Sequence, residues 1–424
     1  MSEDGRTDSE VRRPLDNWAY RADRRAGILR LPRDFTGEAR DIVVDAFGRE
    51  WLEAEFRRSP QGFGFVSPPH PVVEDFMVAG DPQISEIMEI AVYLKRLAGT
   101  PGLADVTRMI RERAQFPTTL LQLAYAYRFK RSGATVELEP EAAKGRKSDI
   151  GLLIGGSRYL AECYVPELGG KVALSELAEY SIPKIFKATN HLGLIARIRL
   201  ELKKEIETPE RIALELAVRE ALGKVKEEGR VTTDHNLAMI VVEDISGVNP
   251  DPDWPDMSVD RPASVPGEAD FVVSELAVAS EDLERVRNGD YVKKNRRSRI
   301  LIRWPKAPDQ EISERIADLS RRLGAKLPQT KAPGAGRILV AQIPEAVERG
   351  SSDEAVVRDV AKGLLSKHSG IEAMILTARV WGERLRYRYQ GYVVYPPTSK
   401  VVPGPLLETL NQLDRSVDLL EDWR

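Results

Sequence analysis

Residues 147–165, KSDIGLLIGGSRYLAECYV, carry an acid at the head of one apolar run and a second acid near the end of the next, with Gly155-Gly156 between them. Two adjacent glycines can both take positive φ, which makes the pair a preferred two-residue hairpin turn. Counting back from that turn along both strands sets Asp149 opposite Glu162 and Lys147 opposite Tyr164. Strand alternation sends Ile150, Leu152, Ile154, Tyr159, Ala161, Cys163 and Val165 to one face, a set fit for a core. The other face takes Lys147, Asp149, Gly151, Leu153, Arg158, Leu160, Glu162 and Tyr164. Like charges opposed across neighbouring strands repel, so an Asp-Glu pair predicts a cation between them. A hard divalent ion, Mg²⁺ or Mn²⁺, accepts carboxylate, carbonyl and water oxygens and is often held by only one or two carboxylates. Such an ion activates water and stabilises the charge that grows on a phosphate during hydrolysis.

Composition narrows the alternatives. Cys163 is the single cysteine, which excludes an intramolecular disulfide and a thiolate cluster, and its neighbours place it among the apolar residues rather than as a nucleophile. His70, His191, His235 and His368 are scattered without zinc-ligand spacing, so a metal must be held by oxygen. The net charge of −3 leaves any affinity for nucleic acid to local basic surface. No apolar run is long enough for a membrane span and the start is polar and acidic, which predicts a cytoplasmic protein without a membrane partner.

A chain of 424 residues exceeds one comfortable core. Residues 1–25 are charged and poor in large apolar groups, as in a disordered tail, and 26–115 form a mainly helical region that includes ISEIMEIAVYLKRLAG. TTLLQLAYAYRFKRSG is a third helix, entered at Pro117 and closed by Gly133, whose Tyr125, Tyr127 and Phe129 are core residues. The strand TVELE, a charged loop and the hairpin follow it. Beyond these, Pro183 kinks or divides a helical zone, and ARIRLEL, an amphipathic helix and LAMIVVED complete an α/β core over 116–245. Residues 246–290 are a Pro- and Asp-rich excursion, and 291–424 are a C-terminal αβ region that resembles a repeat of 196–246, with Glu210-Arg211-Ile212-Ala213 matched by Glu314-Arg315-Ile316-Ala317. The expected fold class is α/β, with a mixed central sheet flanked by helices.

A helix, a strand, an Asp heading the next strand and an acid near the end of the one after it resemble the PD-(D/E)XK nuclease superfamily, the restriction-endonuclease-like fold. FPTTLLQLAYAYRFKRSGATVELEP, KSDIGLLIGGSRYLAECY and NLAMIVVED carry the likeness. It implies a Mg²⁺ or Mn²⁺ ion on Asp149, Glu162 and the Cys163 carbonyl, and hydrolysis of nucleic acid, DNA by analogy, in restriction, repair or defence. The departure is Tyr164, where the family places a lysine; a phenol with a pKa near 10 supplies no positive charge. Lys147 is the displaced substitute, with Lys144 and Arg158 as weaker ones.

Glu137 and Glu139 share a strand face and offer an accessory third carboxylate, with exposed alternation as the plainer account, and Gln122 stands where related proteins place a helix acid, with a surface amide as its plainer account. VKKNRRSR at 292–299 offers Lys293, Lys294, Arg296, Arg297 and Arg299 to a phosphate backbone, against a solvated loop. APGAGR at 332–337 lacks the ending of a phosphate loop. The rival expectation is a nuclease-like fold without catalysis, serving as a nucleic-acid-binding or protein-interaction module, alone, as a homo-oligomer or with a partner that supplies the chemistry.

Overall fold

A computed structural model describes residues 14–16, 18–23, 34–58, 70–78, 81–142, 147–165, 177, 181–246, 275–279, 283–285, 291–293, 298–303, 321, 334–342, 351–367, 371–382, 386–396, 403–413 and 423. The helices are α1 Phe35–Phe47, α2 Arg49–Arg58, α3 Pro71–Val78, α4 Asp81–Arg96, α5 Leu103–Met109, α6 Phe116–Arg131, α7 Ile182–His191, α8 Thr208–Glu228, α9 Ser351–Lys367 and α10 Gly404–Gln412. The strands are β1 Thr135–Leu138, β2 Ile150–Ile154, β3 Ser157–Tyr164, β4 Ala196–Leu202, β5 Arg230–Asp234, β6 Ala238–Asp244, β7 Glu275–Ala279, β8 Leu283–Arg285, β9 Tyr291–Lys293, β10 Arg299–Arg303, β11 Gly336–Gln342, β12 Ala373–Gly382 and β13 Arg386–Val394. The protein is mixed α/β, as expected. None of the described helices is long and apolar enough to cross a membrane.

The chain forms two compact units: residues 1–57, 70–167 and 312–424, and residues 58–69 and 168–311. The first unit holds a six-stranded sheet in the order β1-β2-β3-β11-β12-β13. Its first three strands are antiparallel, β3, β11 and β12 run parallel, and β13 closes it antiparallel. The second unit holds a sheet in the order β5-β6-β4-β10-β7, with α7 and α8 supplying apolar residues to its core.

In the first unit one sheet face carries Ile150, Leu152, Ile154, Tyr159, Ala161, Cys163, Ile338 and Val340 into a core shared with α1, α4, α6 and α10. This is the alternation expected of the hairpin, and Tyr125, Tyr127 and Phe129 of α6 are buried in the same core. The opposite face packs Leu339, Ala341, Met374 and Leu376 against Ala361, Leu364 and Leu365 of α9. A buried Leu or Ile contributes about 1.5–3 kcal/mol relative to exposure, so two covered faces give the central strands most of their stability.

Several expectations are corrected. Residues 1–25 are not wholly a disordered tail: Leu15, Trp18 and Ala22 are buried, and Trp18 packs edge-on against Phe76 at 5.6 Å. The charges that mark the segment flank three apolar residues at helical spacing. Residues 116–245 do not form one core, because β6 pairs with β4 and β5 in the second sheet, while the strand beside the hairpin is β11. Of the excursion, 275–279 and 283–285 are strands. The C-terminal region divides, β10 going to the second sheet and β11 to the first, whereas β4 and β6 are neighbours, so the matched segments are not built alike; Glu314 to Ala317 lie outside the described residues. Pro183 stands in the first turn of α7, where a missing N–H costs nothing; most of the expected helical zone before it lies outside the described residues.

His70 ties three of the N-terminal helices. Its Nε2 bonds the Ile110 carbonyl at 2.9 Å, its Nδ1 accepts the Val72 N–H at 3.3 Å, and its ring packs edge-on against Phe47, Trp51 and Phe116. The two bonds fit the neutral ring, and burial lowers its pKa from 6.5 to about 4. A lowered histidine pKa means that the native state resists protonation, so its contribution is full above pH 6.5 and is lost as pH falls from 6.5 towards 4. The span corresponds to about 3 kcal/mol. Urea unfolding of the first unit is expected to lose stability over that window, and His70→Phe to flatten the loss; equal slopes would refute the role.

Candidate functional site

The glycine turn forms as expected. Gly155 and Gly156 have φ of 55° and 80°, and β2 pairs with β3 from Ile154↔Ser157 to Ile150↔Ala161. The backbone ladder ends there, and its register continued by one residue would set Asp149 opposite Glu162; a side chain takes over, the Cys163 N–H donating to Asp149 Oδ2 at 2.6 Å. That bond holds the Asp149 carboxylate against the backbone of β3 at Cys163.

On its other side Asp149 meets Glu139. The β1–β2 register continues past Leu138↔Ile150, with Glu139 N–H donating to the Asp149 carbonyl at 3.1 Å, Ser148 N–H to the Pro140 carbonyl at 3.0 Å, and an isolated bridge between Glu141 and Lys147. Continued one residue past the ends of β1 and β2, the registers set the backbones of Glu139, Asp149 and Glu162 in line, with Leu339 of β11 paired to Glu162. Glu139 is a non-glycine residue with φ of 51°, a conformation that costs energy and often marks function.

Gln122 of α6 is not a surface amide. It is 2% exposed, and its Nε2 donates to Glu139 Oε1 at 2.8 Å and to the Asp149 carbonyl at 2.6 Å. An amide at this place holds two elements of the acid row without adding charge. Burial, followed by the Asp149 charge, raises the pKa of Glu139, while the Gln122 hydrogen bond opposes the rise.

Lys147 bonds Asp105 of α5 at 2.9 Å. Asp105 also binds Arg108, and its carboxyl is held below the usual range by Lys147 above all. The Lys147 ammonium is raised chiefly by Asp105, with Glu139 among the charges that favour it. Lys147 is thus tied to α5 and to Glu141, where the hairpin alone placed it opposite Tyr164. Tyr164 is half-buried and packs against the core under α9. Exposed Arg158 donates to the Glu141 carbonyl at 3.4 Å. Lys144, Lys294, Arg296 and Arg297 lie outside the described residues, while Lys293 ends β9 and Arg299 begins β10.

Among the described residues no group of three or more His, Cys, Asp or Glu side chains is placed to hold a metal. The donor set these residues offer is all oxygen: the Asp149 carboxylate, one oxygen of which accepts from the Cys163 N–H, and the Glu162 carboxylate. That chemistry fits a hard cation that keeps much of its water and takes substrate phosphate oxygens, and does not fit an all-protein cage.

Compared with known proteins, the chain matches no family model, no curated protein and no solved structure.

The row is braced from α5. Leu138 N–H donates to the Pro101 carbonyl at 2.8 Å, and a Cβ at Gly102, where φ is 82°, would stand 1.8 Å from the Leu138 carbonyl oxygen. Gly102→Ala is expected to push the end of β1, and Glu139 with it, away from Asp149 at a cost of about 1–3 kcal/mol. Gly99→Ala, with φ of 75° and nothing within 4 Å, is the control for backbone strain alone. Equal urea midpoints for the two variants would show that the close approach does not brace the row.

Proposed function

We propose that the protein is a metal-dependent phosphodiesterase acting on nucleic acid, DNA in the first instance, with a restriction-endonuclease-like core. The observation that carries this reading is the chain of contacts at the open end of the hairpin, Gln122 to Glu139, Glu139 N–H to the Asp149 carbonyl and Cys163 N–H to the Asp149 carboxylate, next to Glu162 in β3. Supporting it are the order α6-β1-β2-β3 and the parallel strand β11 beside β3.

Asp149 and Glu162, with the Cys163 carbonyl, are the residues that would hold Mg²⁺ or Mn²⁺. When bound, the ion supplies charge stabilisation at the phosphate and a more acidic water. Glu139 is the proton acceptor: its raised pKa brings a carboxylate nearer the working range of a general base, and Oε2, the oxygen that Gln122 does not bond, takes the proton. Gln122 fixes that carboxylate while Lys147, anchored on Asp105, keeps positive charge on the Glu139 side of the row. This assigns to Lys147 the electrostatic part of the family lysine, and leaves Tyr164 outside the chemistry.

A second reading is a nuclease-like module without catalysis. The anchoring of Lys147 on Asp105 and the packing of Tyr164 under α9 favour it, since both take side chains away from the place of the missing lysine.

Purified protein incubated with supercoiled plasmid in Mn²⁺ is expected to nick it, EDTA to abolish nicking, and Asp149→Asn or Glu162→Gln to lower the rate by about 10²-fold or more. Glu139→Gln is expected to flatten the acid limb of the pH–rate profile. A wild type inert on DNA and RNA that gains activity as Tyr164→Lys would establish the second reading instead.

A further inference from the structure

The sheet of the second unit turns one face to its core, through Ile198 and Leu200 of β4, Val231 of β5 and Ile240 and Val242 of β6. By alternation the intervening residues of these strands share the opposite face. The registers set them in three rows across β5, β6 and β4: Arg230, Glu243 and Arg197; then Thr232, Val241 and Arg199; then Asp234, Met239 and Glu201. Beyond β4 the face is closed at Leu301 of β10, which is buried, whereas Arg199, Arg230, Thr232 and Asp234 are exposed. The open part of the face is the width of β5, β6 and β4.

The described charges of this face balance in number but not in place. β5 and β4 run in the same direction on either side of β6, and each carries arginine near its start and an acid near its end, Arg230 with Asp234 and Arg197 with Glu201. At the basic end Arg230 and Arg197 share Glu243, at 3.1 and 3.5 Å, two cations on one carboxylate. At the acidic end Lys203, just past β4, pairs with Asp234, which sets two acids against one lysine. Arg199 stands in the row between. Down the middle, β6 offers half-buried Met239 and Val241. An apolar centre with charged flanks is the anatomy of a protein interface. Ion pairs between exposed side chains contribute little, so docking gives up little by re-pairing them.

We propose that this face binds the same face of a second copy of the chain, about a two-fold axis that crosses the strands along the row of Thr232, Val241 and Arg199. Such an axis reverses the strand direction. It therefore sets Arg230 and Arg197 of each copy over Asp234 and Glu201 of the other, with Val241 over Val241. Charge selects this axis, because one laid along the strands would set Arg230 over Arg197. Arg199 comes near its own counterpart, one row from Glu201 of the second copy. Three strands of five residues cover about 14 by 17 Å, under the roughly 800 Å² per partner of a stable dimer, so the dimer is weak, with a Kd of roughly 10–100 µM. The proposal is independent of the phosphodiesterase reading.

Sedimentation velocity on the full chain from about 1 to 300 µM tests it. The wild type is expected to pass from monomer to dimer over that range, and to need a higher concentration as salt rises. Arg230→Asp and Asp234→Arg, each alone, are expected to weaken self-association by about tenfold or more, because each sets like charges over one another across the axis. Mixed in equal amounts the two variants are expected to associate again, since each supplies the charge that the other's substitution reversed. The milder Arg230→Gln is expected to lose less, with an unchanged melting temperature, and Lys224→Glu, on α8 and outside this face, to associate as the wild type. A wild type that stays monomeric to the highest concentration, single variants that associate as the wild type does, or a mixture no more associated than either variant overturns the proposal.

Discussion

The hydrogen bond from Cys163 N–H to Asp149 Oδ2 is the interaction on which the site depends. It carries the contact between the two strands past the last backbone pair, Ile150↔Ala161, with a carboxylate in place of a carbonyl. Neighbouring strands lie about 4.8 Å apart, and unit charges at that spacing repel by roughly 3 kcal/mol at an effective dielectric constant near 20. Among what the fold supplies against that repulsion are a backbone N–H to Asp149, the Gln122 amide to Glu139, and Lys147 near Glu139. Under the proposed reading a bound cation would offset that repulsion further.

The scaffold around that row is stiff where stiffness matters. Gly336 lies against the Tyr159 ring, whose atoms a Cβ would meet at 2.5 Å, so β11 approaches β3 closely at the start of their parallel pairing. The tip of the hairpin is closed by Pro405 of α10, which a Cβ at Gly155 would meet at 2.7 Å. Arg128 of α6 reaches the Leu413 carbonyl beyond α10 at 3.3 Å, so the helix that carries Gln122 is also tied to the C-terminal segment. Acid row, turn and brace thus belong to a single unit, even though the chain leaves it after β3 and returns near residue 312.

The local part of this was legible in the sequence. Gly155-Gly156 takes positive φ at both positions between two apolar runs, and from it the register and the core face both follow. What was not legible depends on contacts distant in the chain. Gln122 and Asp149 are joined by a helix packing on a sheet, and an amide in an otherwise apolar helix looks the same whether it faces water or a carboxylate. The strand Ala238–Asp244 has the apolar run of a buried strand, but such a run does not say which sheet it enters; the neighbour of β3 begins at Gly336. Lys147 was placed opposite Tyr164 by the hairpin alone, yet β1 on its other side and Asp105 of α5 compete for it, and neither competes through local spacing.

The central claim is that Asp149 and Glu162 share one ion. Crystals grown with Mn²⁺ and measured near the manganese edge test it most directly. The account predicts one anomalous peak at ordinary metal–oxygen distance, about 2.1 Å, from a carboxylate oxygen of each residue, and its loss in Asp149→Asn. Manganese seated elsewhere, or the two carboxylates directed to opposite faces of the hairpin with no peak between them, would contradict it.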